Sequence, residues 1–145
     1  MANIIPIIVG GAIPAFLWGM TSILQRQSSM SGASPSVYLA IFGLSIFAAG
    51  LASLAFQPRQ SVPSLGAITY AIMAGAGFAA GTGLVGMALW KYNFPISRLA
   101  PILSTNVLVT VAVGLLLGDV ENVNSVRLLI GTALIIAGVV FVTVS

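Results

Sequence analysis

The chain has 145 residues, of which 59% are hydrophobic and 5% charged, and five Lys and Arg against two Asp and Glu leave a net charge of +3. An ordinary soluble domain carries roughly 25% charged residues, so this composition excludes a water-soluble globule, and its hydrophobicity excludes intrinsic disorder. The sequence has no His and no Cys, which removes zinc sites, disulfides, Cys or His nucleophiles and His-based proton transfer, and five scattered cations make no nucleic-acid patch.

What remains is a membrane protein, and the chain divides into apolar runs of the right length. A helix crossing the hydrocarbon needs about 20 apolar residues. The first run covers 4–24 and ends at Gln25, Arg26, Gln27, Ser28 and Ser29. It has no basic segment before it, so it reads as a retained helix rather than a secretory signal. Pro14 lies inside it and is expected to kink it, because proline removes one backbone hydrogen bond. Gly11, Pro14, Ala15, Trp18, Ser22 and Gln25 form one stripe, in which Trp18 sits mid-span rather than at the interface that tryptophan usually occupies. The indole either packs between helices or walls a substrate site.

The second run covers 36–56, with Pro35 at its head and Arg59 in the loop beyond. The third covers 65–90 and is rich in glycine. Gly77 and Gly81 make a G-x-x-x-G, a spacing that lets helix backbones approach where lipid gives no hydrophobic drive; packing inside the protomer is the expected use. Ala79, Gly83, Gly86 and Trp90 share another face, readable as the lining of a cavity closed by the Trp90 indole. The fourth run covers 96–117 and carries Ser97, Pro101, Ser104, Thr105, Asn106 and Thr110. Asn106 is the most polar residue deep in a span. Its amide needs a neighbouring helix or a polar ligand, since an uncompensated amide in hydrocarbon costs about 4–8 kcal/mol on the cyclohexane scale. The fifth run covers 126–144. Helices are expected throughout, because the runs lack the alternation of membrane barrel strands.

Five crossings put the two ends on opposite sides. The side of the first and third loops carries Arg26, Lys91 and Arg98; the side of the second and fourth carries Arg59 and Arg127. Cytoplasmic loops normally hold a clear excess of Lys and Arg. Two against three is little to choose by, so either a weak preference or insertion in both senses is expected. Both carboxylates, Asp119 and Glu121, fall in the last loop, so no intramembrane acid is expected to couple transport to protons.

The segments Ala15-Phe16-Leu17-Trp18-Gly19, Leu99-Ala100-Pro101-Ile102-Leu103, Leu115-Leu116-Leu117-Gly118-Asp119 and Gly131-Thr132-Ala133-Leu134-Ile135-Ile136-Ala137-Gly138-Val139 resemble, in order and spacing, the EamA-type repeat of the drug/metabolite transporter superfamily. Asp119 stands where that repeat usually has Glu, and the second helix is the least specific part of the match. The chain is also similar to the small multidrug resistance proteins in Gly10-Gly11-Ala12-Ile13-Pro14-Ala15. Phe16 stands where their essential Glu follows. Gly131 and Gly138 repeat the two-glycine spacing of their dimer contact.

The resemblance implies an all-α membrane protein: one five-helix domain over 1–145, half of an inverted-repeat transporter completed by an antiparallel second copy. The implied function is a secondary carrier, an exporter of small polar or zwitterionic metabolites working by alternating access in the plasma membrane of a prokaryote. Trp18, Gln25, Trp90, Ser104 and Asn106 are the expected substrate contacts, and Gly77, Gly81, Gly131 and Gly138 the expected packing positions. No cofactor, metal, catalytic residue or nucleic-acid partner is expected. A non-transporting accessory subunit of a membrane assembly is the alternative.

Overall fold

The structure, a computed structural model, describes residues 4–56, 63–117 and 124–144. Among these residues every regular element is helical, and five helices are long and apolar enough to cross a membrane. Helices satisfy their own backbone groups where no water is available to do so, which is why such apolar runs take this form. They group into two compact units, Met1–Asn93 and Phe94–Ser145.

The first unit holds α1 (Ile4–Met30), α2 (Pro35–Leu54) and α3 (Leu65–Trp90). At 27 residues α1 is about 40 Å long, more than the hydrocarbon thickness, and it outruns the expected end at residue 24. Arg26, Gln27 and Ser28 are tolerable helix formers, and the stop comes only at Gly32. There Gly32 N–H donates to the Ser29 carbonyl at 3.2 Å and Ala33 N–H to that of Ser28 at 3.1 Å. This Schellman pairing needs a left-handed residue, and Gly32 supplies φ +94°. Ser34 then caps α2, its hydroxyl accepting from Val37 N–H at 3.4 Å, with Pro35 in the first helical position. Ser64 caps α3 in the same way through Ala67 N–H at 3.2 Å.

Pro14 does not produce the simple kink expected of it. The turn before it, Ile8–Ala12, is π-helical, and Ile13 N–H reaches back five residues to the Ile8 carbonyl. The widened turn re-registers the backbone next to the residue that lacks an N–H.

The second unit holds α4 (Ile96–Leu103), α5 (Asn106–Leu116) and α6 (Ser125–Val144). α4 packs on α6. Asn124 caps α6, its Oδ1 accepting from Arg127 N–H at 3.2 Å. The fourth run, expected as one continuous helix, is interrupted. After Pro101 the chain tightens: Ser104 N–H is shared between the Ala100 and Pro101 carbonyls, both at 3.1 Å, and Thr105 N–H bonds that of Ile102 at 3.1 Å. The hydroxyls of Ser104 and Thr105 take the same Ala100 and Ile102 carbonyls at 3.0 and 2.7 Å. These i→i−3 bonds and the returning hydroxyls tighten the turn toward 3₁₀ geometry, and the regular ladder lapses at Ser104 and Thr105 within the span. The expected loop carboxylates Asp119 and Glu121, the closing Gly118, and the cation Arg59 lie outside the described residues.

Candidate functional site

The helices of the first unit are tied at one end, where the loop between α1 and α2 lies. Gln25 is buried, and its Nε2 donates to the Thr82 carbonyl of α3 at 3.1 Å. Two turns of α3 further on, the Arg26 guanidinium donates to the Leu89 carbonyl at 3.4 Å and to Asn93 Oδ1 at 3.1 Å. A cation over the last carbonyls of a helix opposes the partial negative charge gathered there. Asn93 holds φ +48°, a left-handed conformation that asparagine accepts more readily than most residues.

At the same end α2 lies against glycines of α3. A Cβ placed on Gly83 would stand 3.1 Å from Leu39 Cδ1, and one on Gly86 would stand 3.2 Å from Pro35 Cβ. These two glycines make the close approach. On the face of Ala79, Gly83, Gly86 and Trp90, the two glycines pack against α2, while Ala79 and Trp90 are exposed. Within the first unit a Cβ on Gly77 or Gly81 would meet nothing within 4 Å, and the same holds for Gly131 and Gly138 within the second. The physical reason is register. Gln25 and Arg26 fix which turn of α3 meets its neighbours, and that turn lies beyond the G-x-x-x-G. Away from this end contact thins: every residue from 43 to 56 and from 63 to 81 is exposed, Phe78 included although its ring stacks on Phe42 at 6.1 Å.

Between α1 and α2 runs a groove of about 340 Å³ lined by Thr21, Leu24, Ser28, Tyr38, Ile41, Phe42 and Ser45. Nothing charged lines it. Tyr38 and Phe42 stack at 5.4 Å along one side. None of these residues was singled out by the sequence reading. The available signal was the spacing of 21, 24 and 28 on α1 against 38, 41, 42 and 45 on α2, each set on one helical face, with an aromatic pair four residues apart.

The expected substrate contacts fall in both units: Trp18, Gln25 and Trp90 in the first, Ser104 and Asn106 in the second. Gln25 is a tie between helices. Trp18 is 69% exposed, one turn before Thr21, and Trp90 is 52% exposed in the last turn of α3. Ser104 spends its hydroxyl on its own helix. Asn106 is exposed near the middle of the 21-residue span Ile96–Leu116. Its carbonyl accepts from Thr110 Oγ1 at 3.2 Å, while its side-chain amide makes no hydrogen bond among the described residues.

The class defined by these elements is an all-α integral membrane protein with five spanning helices. No protein family, curated protein or solved structure matches the chain.

Proposed function

We propose that the protein is a secondary carrier of small polar or zwitterionic metabolites, an exporter in the plasma membrane of a prokaryote that works by alternating access in an antiparallel pair of copies. One observation carries the reading: the regular helical ladder of the fourth span lapses at Ser104 and Thr105, near its middle, and the Asn106 side-chain amide at that turn makes no hydrogen bond among the described residues. Secondary carriers place their substrate near the midplane, at discontinuous helices whose freed polar groups meet it. An amide left bare in hydrocarbon is costly, so a polar substrate at that depth would satisfy it. The segments that resemble the EamA-type repeat point the same way, and an oppositely inserted second copy would supply the inverted partner that such an architecture uses.

The test is a flux screen in liposomes containing only this protein, over amino acids, amines and nucleosides. Saturable uptake is expected for one class, reduced at least tenfold by Asn106→Ala. A single hydrogen bond to a dipolar or charged substrate group, worth about 1.5–3 kcal/mol, sets that scale. No flux for any class, together with capture of the protein in a fixed complex with another membrane protein, would favour the accessory subunit.

A further inference from the structure

We propose that the groove between α1 and α2 binds a single-chain amphiphile with an uncharged, hydrogen-bonding head, taken from the bilayer with its head toward the loop between the two helices. The groove's polarity is graded along its length. At the loop end lie Ser28 and Tyr38, whose hydroxyls make no hydrogen bond among the described residues. In the middle lie Leu24, Ile41 and Phe42. At the far end lie Thr21 and Ser45, but their hydroxyls donate to the Leu17 and Ile41 carbonyls, each at 2.9 Å. They offer the groove little beyond carbon. The free polar groups therefore stand only at the end nearest the loop, and the rest is apolar.

From Ser28 to Thr21 the groove runs about 10 Å along the helix axis. It starts at the polar end of α1, beside Gln25, Arg26 and Gln27, and leads toward the apolar middle of the helix, the direction in which a lipid chain lies. Leu24 and Ile41 are 60% and 62% exposed, so within the first unit the groove is open along its side. A head with a fixed charge finds no counter-ion in the lining, and an unpaired charge there would keep its full desolvation cost. A hydroxyl head can both donate to and accept from Ser28 and Tyr38. This inference rests on the groove, not on Asn106 or on transport.

The experiment uses the full chain with Trp90→Phe, which leaves Trp18 as the lone tryptophan, one turn beyond the apolar end of the groove. The protein is placed in phosphatidylcholine vesicles and titrated with a fatty alcohol brominated toward the end of its chain, which quenches indole fluorescence on contact. Quenching should saturate at low mole fraction and be reversed by the unbrominated alcohol. Tyr38→Phe with Ser28→Ala should weaken the apparent affinity by at least three- to tenfold, the scale of one lost hydrogen bond, while keeping the ring stack on Phe42. Ser53→Ala, outside the groove, should change nothing. The same brominated chain with a trimethylammonium head should bind more weakly than the alcohol, a comparison that needs no groove variant. Quenching that merely follows bulk partitioning, or equal affinity for the two heads, overturns the proposal. Loss of flux with retained saturable quenching would count against the carrier reading alone.

Discussion

Alanine at Gly86 should loosen the first unit, whereas alanine at Gly83, only one turn earlier on α3, should not. In a helix interior Gly→Ala gains about 0.8–1.0 kcal/mol of propensity. At Gly86 the new methyl stands 3.2 Å from Pro35 Cβ and 3.6 Å from Pro35 Cα. Pro35 is a rigid ring in the first turn of α2 and yields only if the helix moves. Overpacking of this kind costs about 1–3 kcal/mol, so the net loss is about 1 kcal/mol, roughly fivefold in the folding equilibrium. At Gly83 the methyl meets Leu39 Cδ1 at 3.1 Å, the far end of a side chain that can turn away. There the overpacking largely vanishes and the net change should lie near zero or slightly above. Gly77→Ala meets nothing within 4 Å and should show the propensity gain alone. The assay is reversible unfolding by SDS in mixed micelles, at protein concentrations dilute enough to keep single copies. The expected order of stability is Gly77→Ala, then Gly83→Ala, then Gly86→Ala. If Gly86→Ala were as stable as Gly83→Ala, α2 would not rest on that glycine and the register argued from Gln25 and Arg26 would be wrong.

Gln25→Leu removes the bond to Thr82 and should cost about 0.6–1.7 kcal/mol, the range for interhelical hydrogen bonds in membranes, in the same SDS titration. Gly32→Ala should cost roughly 1–2 kcal/mol, because an L-residue resists the left-handed conformation, and Gly32→Asn should recover most of it. The near balance of cations predicts insertion in both senses. A lone cysteine at Ser31, in the loop between α1 and α2 of a chain otherwise free of cysteine, should be labelled partly by an impermeant maleimide on intact cells and fully after lysis. Labelling that is complete, or wholly absent, before lysis would rule out dual insertion.

The spans were legible because hydrocarbon imposes one requirement, an uncharged run of fixed length, and the chain marks its ends with charges and turn formers. The third helix falls on the expected 65–90 for this reason. What was not legible depends on which faces meet. The G-x-x-x-G of Gly77 and Gly81 states that two small residues share a face; it does not state that the face is used. The residues that decide the matter read otherwise in the sequence: Gln25 as a substrate contact at the end of a span and Arg26 as a loop cation, neither as a tie to α3. In the fourth span Pro101 announces a disturbance, but the lapse falls at Ser104 and Thr105. It is set by hydroxyls returning to the Ala100 and Ile102 carbonyls, a local competition that composition does not rank. The groove was missed because its hydroxyls are scattered singly among apolar residues, and only the pairing of α1 with α2 gathers them.

The location of the ties follows from the solvent. In water, apolar faces as broad as those of α2 and α3 would close along their whole length. In lipid the tails are as apolar as the side chains, and helices hold together through close packing and polar bonds. In the first unit both are concentrated at the end nearest the first loop: Gln25 on Thr82, Arg26 on Leu89 and Asn93, Gly83 beneath Leu39, and Gly86 beneath Pro35. Toward the other end the facing residues of α2 and α3 carry neither small-residue contacts nor hydrogen bonds between helices among the described residues. A three-helix unit bound in this way can change its spread at the unbound end without breaking a polar bond, whereas movement at the bound end must break several. The stiff end and the compliant end of the unit are therefore set by a few side chains, and a substitution at Gln25 or Arg26 should alter the spread of the helices more than any apolar replacement between residues 43 and 56.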